Sequence, residues 1–358
     1  MLSVLEMPNL YPHSVVRADY VIADSLFVLK HPSLRGLFAP LSFPGPLFSG
    51  QSHLEEHAHH VVTSPPAVGV VISPGVDMAR RKSLALQSPV RGCACFASGQ
   101  CKHLNETNLN GTAFSRDSRL EWRCGASGPF VIGIVCRLSP EKAVGLFLLA
   151  AHTLVHNMNC TKCRFVVIGD GPLRSDLEEL AFRLHISTHI RFLGWVAKDH
   201  LPAYLVNWDV AVTTGAWRET FSMVGTDHMA LGIPLVTFAA GGMGEYVDDP
   251  YLSDQGAVFS FVESNSYARQ YLRNRASSTN ENTGSDKMDG NPFMISRNAV
   301  VVIEPNSDAL ALALLFMQSN DAVRSSVGYF GQLTVQEHFS PQKSLSAYMD
   351  LFSGMFLQ

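Results

Sequence analysis

From residue 129 onward, short apolar runs alternate with segments of helical length, and this alternation limits the possible folds more than any other feature of the chain. The runs are FVIGIVC (130–136), RFVVIGD (164–170), HIRFLGW (189–195), DVAVTT (209–214) and IPLVTFA (233–239). After the turn GPLR, residues Leu177, Leu180, Ala181 and Leu184 recur at i, i+3, i+4 and i+7, which lines one face of a helix. Repeated strand-then-helix units build a parallel, doubly wound α/β sheet, with the ligand site at the carboxyl ends of its strands.

The pattern resumes at AVVVIEP (299–305), followed by a helix over 307–319 and a helical region from about 321 to 352. Residues 129–338 are expected to form one Rossmann-type domain, with 339–358 as a C-terminal helix. Within that domain, RNRASSTNENTGSDKMDGNP (273–292) is too rich in Asn, Ser, Asp and Gly to bury much surface. A mobile insertion is expected over about 262–297. Residues 1–128 are less regular: ADYVIADS (18–25) and VGVVISPGVD (68–77) read as strands among Pro-, Gly-, Ser- and His-rich segments. They predict a partial second α/β unit with long loops.

A net charge of -4 and a pI near 6.4 argue against a nucleic-acid surface, which needs a concentrated basic face. Local cations still suffice for a small anion. The longest apolar runs, such as AVGLFLLAA (143–151), are nine residues, about half of a membrane span. No transmembrane segment and no signal peptide are expected, which predicts a cytoplasmic protein, the cytosolic face of a membrane included. Seven cysteines do not form a disulfide scaffold and are expected to be reduced. Cys93, Cys95, Cys101, His103 and Cys124 lack the paired CxxC spacing of a structural zinc site, so no metal is expected. Cys160 and Cys163 form a CxxC that precedes a strand instead of opening a helix, which argues against a redox role.

CRLSPEK (136–142) places Arg137 and Lys142 on the turn after the first strand of the regular region. Arginine offers a planar fork and lysine a mobile point charge, a combination suited to a diphosphate and to negative charge growing on a leaving nucleotide. Taken alone, the two are ordinary surface cations. In RETFSMVG (218–225) the chain passes Glu219 and enters a helix near Phe221, where free N–H groups and the positive dipole end form an anion site. Eight residues further on stands Asp227, about 12 Å away along a helix. That span suits a nucleotide sugar, with Glu219 accepting from the sugar hydroxyls and Asp227 from the ribose. Each acid alone is equally a dipole partner or a solvated helix residue.

Taken in order, CRLSPEK, FVVIGDGPLRSDLEELA, IRFLGWV, RETFSMVGTDHMALGIPLVTFAAGG and GEYV resemble the donor-binding domain of the retaining glycosyltransferase family 4, also called glycosyltransferase group 1. The resemblance covers 129–250 most fully, continues over 299–350 and touches 14–82. It implies a GT-B fold of two Rossmann-like domains, a nucleotide sugar bound mainly by the second, transfer with retention, and no metal. By position, Arg137 and Lys142 match the diphosphate pair, and Glu219 matches the first acid of the E-x7-E motif beside the donor sugar. These three are expected at the reacting centre. Asp227 takes the place of the ribose acid, Val196 the backbone that meets the base, and Thr220, Phe221, Ser222 and Met223 the phosphate-facing loop.

Four substitutions depart from the pattern. Asp227 is one methylene shorter than the usual Glu, and Cys136, Ala143 and Ser222 stand where the family commonly has Gly. Neither the Gly-rich loop nor most of the family's first domain is found before residue 77, so that domain is expected to be truncated.

These readings lead to a glycosyltransferase that moves a hexosyl unit from a nucleoside-diphosphate sugar to an acceptor hydroxyl on a glycan, lipid or small molecule. The alternative is a non-catalytic nucleotide-sugar-binding or regulatory protein on the same fold. A dinucleotide enzyme fits less well, because GIVCRLS has no G-x-G-x-x-G.

Overall fold

A computed structural model describes residues 20–23, 68–71, 75–86, 128–215, 221–238, 246–248, 255–278, 291–303 and 305–356. The elements are β1 (Tyr20–Ala23), β2 (Val68–Val71), α1 (Met78–Leu86), β3 (Phe130–Val135), α2 (Val144–His152), β4 (Cys163–Ile168), α3 (Arg174–Arg183), β5 (Ile190–Gly194), α4 (Leu201–Leu205), β6 (Val210–Thr213), α5 (Met223–Ala230), β7 (Leu235–Phe238), α6 (Gly256–Ser264), α7 (Ser266–Ser278), β8 (Phe293–Ile295), β9 (Val300–Val302), α8 (Ser307–Ser319), α9 (Asp321–His338) and α10 (Pro341–Phe356). A seven-stranded sheet runs β5-β4-β3-β6-β7-β9-β8, parallel except for the β8–β9 edge pair. Strands β1 and β2 form a separate parallel pair. The doubly wound parallel α/β architecture read from the sequence is the one observed.

The period of two explains the layers. Phe130, Ile132 and Ile134 of β3, with Phe165 and Val167 of β4 and Val210 and Val212 of β6, join α2, α3 and α8 on one face. Val131, Val166, Ile168 and Ala211 alternate with them and pack on the other face, against Trp208 and Met229. Both faces are covered, so the strands read as unbroken apolar runs instead of alternating ones. Gly133 admits the Trp208 ring so closely that a Cβ there would sit 2.3 Å from it. Helix α8 begins at Asn306, whose side chain accepts from the N–H groups of Asp308 at 2.8 Å and Ala309 at 3.1 Å, a cap worth about 1 kcal/mol.

Two expectations need correction. The insertion expected over about 262–297 is largely regular among its described residues: α6 reaches Ser264, α7 covers Ser266–Ser278, and β8 begins at Phe293. Apolar residues spaced through the polar sequence anchor it, since Ala268 is fully buried and Tyr267, Tyr271 and Leu272 pack on the core. Residues 279–290 lie outside the described residues. Helices α9 and α10 are separated at Phe339 and Ser340, ahead of Pro341, where the C-terminal helix was expected to begin. Cys160 and Cys163 are joined in a disulfide, not reduced. The turn from Asn159, which holds φ 54°, folds back so that the Cys163 N–H donates to the Cys160 carbonyl at 3.2 Å and the sulfurs meet.

Helix α1 belongs with the large sheet. Asp77 starts it by accepting from the Arg80 N–H at 2.9 Å, and the segment before it is tied to the far end of the chain by Val76 N–H donating to the Phe339 carbonyl at 2.6 Å. The helix then packs on α4 and α5.

Candidate functional site

Sequence order reverses direction between β3 and β6: β4 and β5 lie to one side, β7 and β9 to the other. Such a switch point opens a crevice at the carboxyl ends of the strands. The turn after β3 is fixed there from both sides. On the β4 side, Cys136 N–H donates to the Ile168 carbonyl at 3.0 Å, and Leu138 N–H to the Asp170 carbonyl at 2.9 Å. Gly169, at φ 133°, lets this approach occur, because a Cβ there would sit 1.8 Å from the Cys136 oxygen. On the β6 side, Thr214 Oγ1 donates to the Lys142 carbonyl at 2.6 Å.

Arg137 and Lys142 are thereby held on one turn at the switch point. Arg137 is exposed and pairs with Glu141 at 2.9 Å across i,i+4. The Glu141 carboxyl also accepts from Ser139 Oγ at 2.6 Å, and that hydrogen bond, followed by its own backbone N–H and by Arg137, holds it below the usual carboxylate range. An exposed ion pair of this kind is worth about 0–1 kcal/mol, so Arg137 can exchange its partner for an anionic ligand at little cost. Lys142 ends a short 3-10 turn, Pro140–Lys142, and Ala143 follows in the left-handed region at φ 47°, ψ 37°.

Helix α5, which follows β6, starts at Ser222, also left-handed at φ 57°, ψ 73°, without a side-chain cap. First-turn N–H groups of a helix have no acceptor within it, so this end presents donors. Phe221 is anchored below it, edge-on to Tyr246 at 5.5 Å and to Phe339 at 5.2 Å. Asn298 in turn holds Tyr246 in place: its amide donates to the Tyr246 carbonyl at 2.8 Å and to Thr334 at 2.9 Å. Met223 is partly exposed.

Asp227 lies one turn further along α5, 8% exposed. Its Oδ2 accepts from Arg81 Nη2 at 2.8 Å. Burial pushes its carboxyl above the ordinary range, while the charges of Arg81 and Lys198 pull the other way. Its Oδ1 is buried with no hydrogen-bond partner among the described residues. The adjacent His228 faces the core: its ring is fully buried, stacks on Trp208 at 5.5 Å and donates from Nδ1 to the Val224 carbonyl at 2.6 Å. Burial lowers its pKa to about 4.

Val196 follows β5 and is partly buried against the face that carries Trp208. Two residues on, the Lys198 carbonyl accepts from Arg81 Nη1 at 3.3 Å, and Arg80 pairs with Asp199 at 2.7 Å. The structure therefore holds Arg137 and Lys142 on one turn at the switch point, and it links Asp227 to the chain after β5 through Arg81. Glu219 and Thr220 lie outside the described residues. Thr214 and the Arg80–Arg81 pair were missed by sequence reasoning. The doublet in VDMARRKS, directly after a turn, was the available signal, but its partners are more than a hundred residues away in the chain.

Among the described residues, no group of three His, Cys, Asp or Glu side chains is arranged to hold a metal, and no helix is long and apolar enough to cross a membrane.

The fold and its switch point are those of a GT-B-like, Rossmann-type α/β domain, and comparison with solved structures gives the same fold. Residues 125–275 match the family model described as glycosyl transferases group 1. Alpha-D-kanosaminyltransferase of Streptomyces kanamyceticus is 26% identical over 190 residues, which are 53% of this chain and 47% of that relative. A glycosyltransferase from Rickettsia africae shares the fold with a TM-score of 0.60 at 13% identity, covering 98% of this chain and 68% of that one. HepE of Anabaena, solved in complex with UDP and glucose, aligns with a TM-score of 0.52 at 15% identity over 94% of this chain and 63% of that one. The chain spans about half, or less, of the length of the curated relatives it matches.

Proposed function

We propose that this chain binds a nucleoside-diphosphate sugar and moves its hexosyl unit to an acceptor hydroxyl with retention of anomeric configuration. The observation that supports the reading is that Arg137 and Lys142 share one hydrogen-bonded turn at the β3/β6 switch point. In this reading the two cations hold the diphosphate and offset the charge that grows on it as the glycosidic bond breaks, a task that needs no metal. The N–H groups at Phe221, Ser222 and Met223 complete the phosphate contacts, Val196 meets the base, and Asp227 accepts from the ribose. Glu219 and Thr220 are assigned to the sugar and phosphate from their sequence positions alone. The departing diphosphate takes the acceptor's proton.

Calorimetric titration of UDP-, GDP- and ADP-sugars tests the binding step, and release of nucleoside diphosphate tests transfer. Arg137→Ala should weaken donor binding by about tenfold or more, because a charge-assisted hydrogen-bond pair is lost. Equal affinity in wild type and variant would remove the assignment. The second reading, donor binding without transfer, is favoured by one observation: Ala143 and Ser222 put side chains on left-handed residues at both phosphate-facing turns. Tight binding with no turnover against any acceptor would establish it.

A further inference from the structure

We infer that Arg81 is a positioning residue of this site, which ties Asp227 to the chain after β5 and so aims the remaining carboxylate oxygen at a ribose hydroxyl. The inference rests on the nucleotide-sugar reading and extends it to α1, outside the matched family segment.

Arg81 is 7% exposed and spends its two terminal nitrogens on different walls. Nη2 donates to Asp227 Oδ2 at 2.8 Å on α5, and Nη1 to the Lys198 carbonyl at 3.3 Å, two residues beyond the position assigned to the base. A planar guanidinium bonded at two points fixes the angle between its partners, which an ammonium could not do. With Oδ2 so engaged, the Asp227 carboxylate can turn only one oxygen to a ligand. That oxygen, Oδ1, is buried and has no partner among the described residues. A buried carboxylate oxygen without a donor is costly, and a ligand hydroxyl would satisfy it. Helix α1 is itself anchored at two further points: Arg80 to Asp199, and Val76, just before the helix, to Phe339. The guanidinium is thus delivered by a docked helix, not by a loose arm.

A merely structural ion pair would affect all ligands alike, whereas an aimed acceptor discriminates between sugars. The full chain is therefore titrated with UDP, GDP and ADP and with their 2′,3′-dideoxy counterparts, alongside thermal melting. Wild type should prefer the ribonucleotide. Arg81→Gln should weaken ribonucleotide binding by about tenfold while leaving the dideoxy affinity within about twofold. The double variant Arg81→Gln, Asp227→Asn removes both buried charges and keeps the comparison open should the single variant fail to fold. Its ribonucleotide affinity should equal that of Asp227→Asn alone, since both act on one contact. If Arg81→Gln keeps the wild-type preference, or the double variant loses ribo and dideoxy ligands equally relative to Asp227→Asn, the inference is overturned and the donor reading stands. Wild type that binds no nucleoside diphosphate would overturn both.

Discussion

Ala143 and Ser222 offer a direct measurement of what the two missing glycines cost. Both hold left-handed backbone, at φ 47°, ψ 37° and at φ 57°, ψ 73°. A residue with a Cβ loses about 1–2 kcal/mol there, because the Cβ crowds the following carbonyl oxygen. Glycine escapes that cost but surrenders more chain entropy on folding, about 0.4–1 kcal/mol. Ser222 makes no capping hydrogen bond, so its removal sacrifices none. Ala143→Gly and Ser222→Gly should therefore each stabilise the protein by about 0.5–1 kcal/mol, a rise of roughly 1–4 °C in Tm for a domain of this size. Urea denaturation followed by circular dichroism reads the shift, with an unchanged slope confirming that only stability moved. Gly232→Ala is the mirror experiment. Gly232 sits at φ 73° with the nearest atom, Gln332 Nε2, 3.5 Å from a built Cβ, so the change adds backbone cost without a clash. It should destabilise by about 1 kcal/mol. Loss of stability in Ala143→Gly and Ser222→Gly, with Gly232→Ala silent, would refute the reasoning.

Two further outcomes follow from the core. His228 is buried neutral with a pKa of about 4 against an ordinary 6.5, so the unfolded chain takes up its proton first as pH falls. Its contribution is whole above about pH 6.5 and is lost progressively toward pH 4, to the extent of about 3 kcal/mol. His228→Gln should flatten the stability–pH curve across that window, and an unaltered slope would count against a neutral buried ring. Phe316 is fully buried, with its ring 5.3 Å from both Phe261 and Phe293. Phe316→Ala should cost about 3–5 kcal/mol in chemical denaturation, and a loss below about 1 kcal/mol would show that the cluster closes over the void.

What could be read in the sequence depended on the range of the interaction. Strands β3 to β7 were legible because a parallel strand covered on both faces is a continuous apolar run, and the turn carrying Arg137 and Lys142 follows from where β3 ends. Strand β8 was not, since three residues inside a polar stretch give no period and are held only by antiparallel pairing to β9. Helix α7 was obscured in the same way: its composition is polar, and Ala268 and Tyr267 alone do not reveal a packed face. The resemblance located the glycine departures at 143 and 222, but that both hold positive φ is a fact of backbone geometry. Arg81 was least legible of all, because its partner Asp227 lies 146 residues away and no local pattern links them.

The two ends of the site differ in stiffness, and that difference bears on how it would handle a ligand. At the end proposed for the diphosphate, Arg137 is 63% exposed in its side chain and shares a carboxylate that Ser139 already engages. Releasing it costs little, so this end can adapt to phosphates in more than one pose. At the end proposed for the ribose, Arg81 and Asp227 are about nine-tenths buried in their side chains, and breaking the pair leaves a buried charge without its ion partner. Separating a buried pair costs about 3–5 kcal/mol, far more than an exposed one. A ligand would thus meet a fixed acceptor at its nucleoside and a mobile cation at its phosphates. On the proposed function, such an arrangement would let the leaving group shift as its bond to the sugar breaks while the nucleoside stays in register, and it would give the shorter Asp227 a defined orientation that its own side chain could not impose.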